Sequence, residues 1–205
     1  MCIRDRLGAA SLAAFNEVDS GMDTIVTKTG ATGKALEGMQ DSMKNLATSI
    51  PTDFQTAGAA IGEVNTRFGL TGKSLEDLSG RFIKFAQINN MDVSTAVDNT
   101  QKVVAAFGLK AQDAGALLDT MNAVGQRTGV SMDTLAKTMV TNSASLQQLG
   151  FSASDAANFL GNVEMSGADT SQVMTALTKA LAAATAKGTP MKLSLIHISE
   201  PTRPY

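Results

Sequence analysis

Apolar residues recur at steps of three and four along almost the whole chain, and this periodicity restricts the fold more than any other feature. Such steps follow the 3.6-residue turn of an α-helix, whereas a half-buried strand would alternate at every second residue. The clearest stripes are Leu75, Leu78, Phe82 and Phe85; Val93, Ala96, Val97, Val104 and Phe107; Ala114, Leu117, Leu118, Met121 and Val124; Met132, Leu135 and Met139; and Val173, Leu177 and Leu181. The sequence therefore predicts an all-α fold.

The composition agrees with helices that pack closely. Hydrophobic residues make up 43% of the chain but aromatic residues only 4%, and Ala, Leu, Val and Met suit helix interfaces better than strands. The net charge is −2 without a basic tract, so no nucleic-acid binding is expected. No apolar run approaches the roughly 20 residues that cross a bilayer, so no membrane segment is predicted.

The two ends of the chain are related to each other through the genetic code. Codons for Met1–Asp5, followed by the first two bases of an Arg6 codon, can be chosen so that their reverse complement encodes Leu193–His197. Such an inverted repeat is typical of translated sequencing adapters, so we interpret residues 1–6 and 193–205 as adapter-like segments. The rest is then expected to be an internal piece of a longer protein.

These end segments contain Cys2, His197 and Tyr205, each the single residue of its type in the chain. Without them, the sequence has no thiol nucleophile, imidazole base or His/Cys zinc ligand. The protein is therefore predicted not to be an enzyme, with no catalytic, cofactor-binding or metal-binding residue and no cofactor.

Turn and cap residues divide the periodic stretches. Glycine, which favours the left-handed end of a helix, follows four of the stripes: Gly69, Gly108, Gly129 and Gly150. Ser74, Ser131 and Ser152 precede new stripes, as N-cap residues do. Ser152 and Asp155 have the spacing of a capping box, with Asp in place of the usual Glu or Gln.

A weak internal repeat follows from the same stretches. "RFGLTGKSLEDL" resembles "AFGLKAQDAGALL" and "LGFSASDAANFL", at spacings of 39 and 42 residues, and Asp53 aligns with Asp92 as Ala57 does with Ala96. Each unit of about 40 residues holds two short helices whose apolar faces need neighbours. We therefore predict stacked, solenoid-like helical hairpins over residues 51–188, followed by a linker at 189–192.

Residues 7–50 have a different pattern, with one stripe at Phe15, Val18 and Met22 and another at Leu36, Met39, Met43 and Leu46. These stripes predict one or two longer helices with a break at Thr29–Gly33. The stripes are narrow, which suits a long helix, a coiled-coil seam or a self-association surface.

Three other patterns could indicate a site. Gly30–Ala35 and Gly69–Ser74 contain Gly-Lys, but they lack the earlier glycine and the preceding strand of a phosphate loop, so we interpret both as turns. Lys73 and Ser74 could form a Ser–Lys pair or belong to a helix cap. The methionines at the apolar positions are either helical core or an adaptable binding surface: Met121, Met132, Met139, Met165 and Met174.

Six segments of the chain, taken in order, resemble a known protein family. The blocks are "ASLAAFNEVDSGMDTI", "MQDSMKNLA", "FQTAGAAIGEV", "FGLTGKSLEDLSGRFIKFAQINNMDVSTAVDNTQKVVAAFGL", "ALLDTMNAVGQRTGVSMDTLAKTM" and "LGFSASDAANFLGNV". Together they resemble the core region of phage tail tape-measure proteins, over nearly all of residues 7–188. The resemblance implies a helical protein that is made in the host cytoplasm, lies in the lumen of the tail tube and sets tail length.

The same resemblance implies other copies of the chain and tail tube, tail-assembly or tail-tip proteins as partners. Residues 51–188, if folded into hairpins, would be a poor ruler, so we expect them to form an assembly module. The alternative is an unrelated α-helical solenoid that binds a protein or peptide in a groove.

Overall fold

The structure is a computed structural model that describes residues 4–186, and the side chains of residues 16–186. Within these residues there are nine α-helices, a short 3₁₀ turn at Ala111–Asp113 and no strand. The helices are α1 (Arg4–Thr29), α2 (Gly33–Ser49), α3 (Phe54–Phe68), α4 (Gly72–Ile88), α5 (Val93–Ala106), α6 (Ala114–Thr128), α7 (Met132–Gln148), α8 (Ala153–Met165) and α9 (Thr170–Ala186). The predicted all-α fold is confirmed.

The described chain divides into two compact units. The first contains residues 4–104 and Lys110–Leu118, and the second contains Ala105–Leu109 and residues 119–186. The division passes through α5 and α6, so each of these helices contributes to both units.

In the first unit, α3 packs against α1, α2 and α4, and α2 also contacts α4. The centre of this unit is apolar, and its largest fully buried side chains are Ile25, Met43, Ile61, Leu75, Phe82, Ile83 and Leu118. Met39, Met43 and Leu46, from the predicted stripe of α2, are buried inside this unit. The Phe68 and Phe82 rings meet in a tilted arrangement with centroids 5.9 Å apart.

In the second unit, α7 and α8 form a hairpin and α9 contacts both helices. The largest fully buried side chains of this unit are Met121, Leu135, Met139, Leu146 and Leu160. Helix α9 is held less completely, because Met174 is its one buried residue while Val173, Leu177 and Leu181 remain half-buried.

Most of the predicted glycine turns and serine caps are confirmed. All four predicted glycines adopt left-handed backbone angles, with φ between 64° and 84°. Ser131 and Ser152 are N-caps, and Ser152 forms the predicted capping box with Asp155. The prediction for Ser74 was wrong: α4 begins at Gly72 after the extended residue Thr71, which leaves Ser74 inside the first turn.

The hairpins repeat with a regular register. Asp53 and Asp92 accept hydrogen bonds from the amides three residues later, as do Ser131 and Asp169 at the starts of α7 and α9. Side-chain hydrogen bonds then join each of three helices to the second helix after it, at Asn45–Glu76, Arg67–Asp98 and Arg127–Asn158. This is the contact pattern of stacked helical hairpins within each unit.

Helices α1 and α2 follow the same register as α3 and α4. Gly30 and Gly33 have φ angles of 64° and 58°, while Gly69 and Gly72, 39 residues later, have 66° and 58°. The intervening Thr32 and Thr71 are both extended N-caps. The two Gly-Lys stretches that resemble phosphate loops are therefore equivalent turns, and their spacing extends the repeat upstream of residue 51.

The remaining organisation stays a prediction. The linker at 189–192 and the adapter-like segment at 193–205 lie outside the described residues, as do residues 1–3 of the first adapter-like segment. Self-association of residues 7–50 and a domain border after residue 50 likewise stay predictions, although α1 and α2 pack with α3 and α4 in one unit.

Candidate functional site

Among the described residues no three His, Cys, Asp or Glu side chains come together as a metal site. Cys2 and His197 lie outside the described residues. Asp77 forms an ion pair with Lys73, whose Nζ is 2.9 Å from Asp77 Oδ1 and 3.0 Å from Glu76 Oε1.

Those contacts also bear on the Lys73 and Ser74 pair. Hydrogen bonds to Asp77 and Glu76 raise the pKa of the Lys73 ammonium above its ordinary value. A general base must give up its proton near neutral pH, so this shift disfavours Lys73 as the base that would activate Ser74. The pair is better explained as part of the first turn of α4.

The methionine stripe is mainly core. Met121, Met132, Met139 and Met174 are at most 5% exposed, whereas Met165 at the end of α8 is 55% exposed. The interpretation as core is confirmed for four of the five residues.

The interface between α1 and α3 is unusually close. Helices α1 and α3 approach so closely that a Cβ atom at Gly58 would clash with the backbone carbonyl of Gly21. A Cβ at Gly21 would lie 2.6 Å from both the Met43 sulfur and the Phe54 carbonyl oxygen, and one at Gly62 would lie 2.9 Å from Lys28 Cβ. Because glycine has no side chain, the backbones of α1 and α3 can pack directly against each other at this interface.

A chain of ion pairs runs across α1, α3 and α5 next to this interface. Lys28 of α1 binds Glu63, whose other oxygen lies 2.6 Å from Arg67 Nε. Arg67 Nη1 continues to Asp98 Oδ1 at 2.8 Å, and Asp98 Oδ2 contacts Lys102 Nζ at 2.6 Å. We call these five residues the ion chain, and it joins three helices of the first unit.

The two acids of the ion chain have lowered pKa values because each accepts hydrogen bonds from neighbouring cations. Burial acts to raise the pKa of the Glu63 carboxyl, but hydrogen bonds from Lys28 and Arg67 outweigh it and hold the pKa below its ordinary value. At Asp98 the hydrogen bond from Lys102 is the main cause of the lowered pKa, with the charge of Arg67 adding to it. Both carboxylates are therefore ionised in the folded state at neutral pH.

Helices α7 and α9 of the second unit meet differently, because an open groove of about 560 Å³ lies between them. Its lining is dominated by hydroxyl groups, with one buried methionine and one lysine. The lining residues are Thr134, Lys137, Thr138, Thr141, Asn142 and Ser145 of α7, and Thr170, Ser171, Met174, Thr175 and Thr178 of α9. We call this the α7–α9 groove, and no sequence pattern had indicated it.

Comparison with known proteins gives the chain its family. The family model for phage-related minor tail protein matches residues 40–198, which is more than half of the chain. The chain belongs to the phage-related minor tail protein family. No curated protein and no solved structure matches it.

Membership in this minor tail protein family indicates a structural, non-enzymatic role in the phage tail, in contact with other tail components of the virion. The matched residues include all of α3–α9, and therefore both the α7–α9 groove and four of the five residues of the ion chain. None of the described helices is long and apolar enough to cross a membrane.

Proposed function

We propose that this minor tail protein is part of a tape-measure protein, which lies in the lumen of the tail tube and sets tail length. The family match supports a tail protein, and the resemblance of the ordered sequence blocks supports the tape-measure role. Its partners on this proposal are other copies of the chain and the tail tube, tail-assembly and tail-tip proteins.

The packing of the chain suggests which part of that role this region performs. A continuous helix advances about 1.5 Å per residue, so 39 residues would measure about 59 Å. A stacked hairpin of the same length adds only about 10 Å, the usual distance between packed helices. The hairpins therefore favour an assembly module that contacts tail components, and the measuring length would belong to other parts of a longer protein.

The first experiment is deletion of the gene in the phage that carries it, with tails counted and measured by electron microscopy. We expect few tails or tails of uncontrolled length, and restored length when the intact gene is supplied from a plasmid. Tails of normal number and length without the gene would refute the tape-measure proposal.

A second experiment separates measuring from assembly. Residues 92–130, the repeat that contains α5 and α6, are deleted in one phage and duplicated in another. An assembly module predicts tail lengths within about 10 Å of the wild type, together with fewer complete tails. Opposite shifts of about 59 Å in the two variants would show that this region is extended in the tail, contrary to the module.

A further inference from the structure

Helix α9 has the same place in the second unit as α3 has in the first, but it has one neighbour fewer. Helix α3 packs against α1 and α2, the hairpin before it, and against α4, its own hairpin partner. Helix α9 contacts α7 and α8, the hairpin before it. Within the described part of the chain no helix follows α9, so α4 has no counterpart beside it.

Helix α9 also leaves apolar side chains partly exposed at positions that are buried in α3. The fourth and eighth residues after the N-cap of α3 are Ala57 and Ile61, and neither is exposed to solvent. The same positions of α9 are Val173 and Leu177, and both are half-buried. Leu181, one turn further along α9, is half-buried as well. These three residues form an apolar stripe along one face of α9.

Helix α8 differs from α2 in the same way. Met39 and Met43 of α2 are buried, and this helix contacts α1, α3 and α4. The equivalent residues of α8, 120 positions later, are Phe159 and Val163, and both are half-buried. Helix α8 contacts α7 and α9, the counterparts of α1 and α3, but no described helix takes the place of α4. Both helices therefore lack the same neighbour.

The sequence after α9 has the features of a turn into another helix. Gly188 and Gly150 each stand 19 residues after the N-cap of the preceding odd-numbered helix. Threonine is a frequent N-cap and proline favours the first helical position, which is the order of Thr189 and Pro190. The sequence therefore predicts that a helix starts within the segment 189–192, which we had interpreted as a linker.

We propose that an amphipathic tenth helix of the same protein binds the α8–α9 face, which we define as Phe159, Val163, Val173, Leu177 and Leu181. This helix would complete the hairpin that α9 begins, and it would contact α8 and α9 as α4 contacts α2 and α3. Its apolar residues would recur at steps of three and four on one side, with polar residues on the other. The proposal concerns the helical repeat and does not depend on the tape-measure role.

The test supplies a tenth helix of known sequence. In a variant of the 205-residue chain, residues 188–205 are replaced by a copy of Gly69–Asn89, which contains a turn and the whole of α4. We expect amide hydrogen exchange in α9 to slow by about tenfold or more relative to the unaltered chain, because covering the apolar stripe suppresses local opening. In the control graft, serine replaces the copied Leu75, Leu78 and Phe82, and exchange in α9 should not slow.

Two substitutions in the grafted chain test the face itself. Leu177→Asp should abolish the slower exchange, because a carboxylate would then be buried against the grafted helix. Ala176→Asp places the same side chain at the neighbouring exposed position of α9 and should retain the slower exchange. Since both variants introduce aspartate into α9, their difference reports on the α8–α9 face and not on helix propensity.

Three results would overturn the proposal. The first is equal exchange of α9 in the graft and in its serine control, and the second is slower exchange that persists in Leu177→Asp. The third is slower exchange that appears only as dimers form in analytical ultracentrifugation, which would assign the face to a second copy. None of these measurements involves tail length, so failure here can be distinguished from failure of the tape-measure proposal.

Discussion

The interface between α1 and α3 and the one between α7 and α9 occupy the same register of the repeat but have opposite characters. In the first unit, Gly58 and Gly62 allow close packing, and the ion chain runs alongside. In the second unit, Met174 and Thr178 stand at those positions and a hydroxyl-lined groove remains open. The two interfaces therefore differ at the same two register positions, with glycines where the helix backbones touch and larger side chains where the groove is open.

The two units also differ in the charged residues at equivalent positions. Arg67 and Asp98, the fourteenth and sixth residues after their N-caps, form an ion pair between α3 and α5. The same positions in α7 and α9 are Ser145 and Thr175, and both line the groove. The repeat therefore carries an ion pair at these positions in the first unit and uncharged hydroxyl groups in the second.

The largest expected effect comes from forcing the closed interface apart. Gly58→Leu should lower the free energy of unfolding by about 3 kcal/mol or more, because the new side chain meets the backbone carbonyl of Gly21. Gly38→Leu is the matched control, since Gly38 is also helical but has no atom within 4 Å of its added Cβ. Urea unfolding measures both, and an equal loss in the two variants would contradict the close-packing explanation.

The second largest loss of stability is expected in α9, the helix with the fewest buried residues in the second unit. Met174→Ala should cost about 2 kcal/mol and should increase hydrogen exchange throughout α9, since Met174 is the one buried residue of that helix. Met165→Ala, at a 55% exposed position, should change stability by less than about 0.5 kcal/mol. Unchanged exchange in α9 after Met174→Ala would show that other contacts hold the helix.

A smaller effect is expected from the ion chain. Glu63→Gln should destabilise the protein by about 1 kcal/mol, because Lys28 and Arg67 both lose their carboxylate partner. Glu37→Gln, an exposed position of α2, is the control. Thermal unfolding at low and high salt measures the difference, which should shrink as salt screens the charges. A difference that does not depend on salt would contradict an electrostatic origin.

The pH dependence of that difference has a definite sign. The pKa values of Glu63 and Asp98 are lowered in the folded state, so their stabilisation is present above the unfolded pKa of about 4. It is lost as the pH falls through the folded pKa values. The stability gap between wild type and Glu63→Gln should therefore be full at pH 7 and should narrow below about pH 4.5. A gap that widens in acid would refute this linkage.

The smallest predicted effect transfers the ion pair from one unit to the other. Ser145→Arg combined with Thr175→Asp places the Arg67–Asp98 pair in the equivalent positions of the α7–α9 groove. A double-mutant cycle should give a favourable coupling of about 0.5 kcal/mol, as exposed ion pairs usually do. No coupling between the two substitutions would mean that the registers of the two units are not equivalent.

Helix periodicity and cap chemistry were sufficient to predict much of the fold. Ser131 and Ser152 cap helices because their hydroxyls bind nearby amides, an interaction encoded within four residues. Ser74 was misassigned because Thr71 and Gly72 offer an earlier start of α4 in the same stretch. The 39-residue spacing of Gly30 and Gly69 was present in the sequence and would have extended the repeat to α1 and α2.

The sequence by itself determined where the helices and turns lie and which residues face the apolar core. These features depend on interactions between residues only a few positions apart. The ion chain and the α7–α9 groove bring together residues that are far apart in the chain, such as Arg67 with Asp98 and Thr141 with Thr175. Only the tertiary structure decided which of these distant side chains meet. The physical reason is that glycine or methionine at one register position sets the distance between two helix backbones, and local periodicity contains no information about that distance.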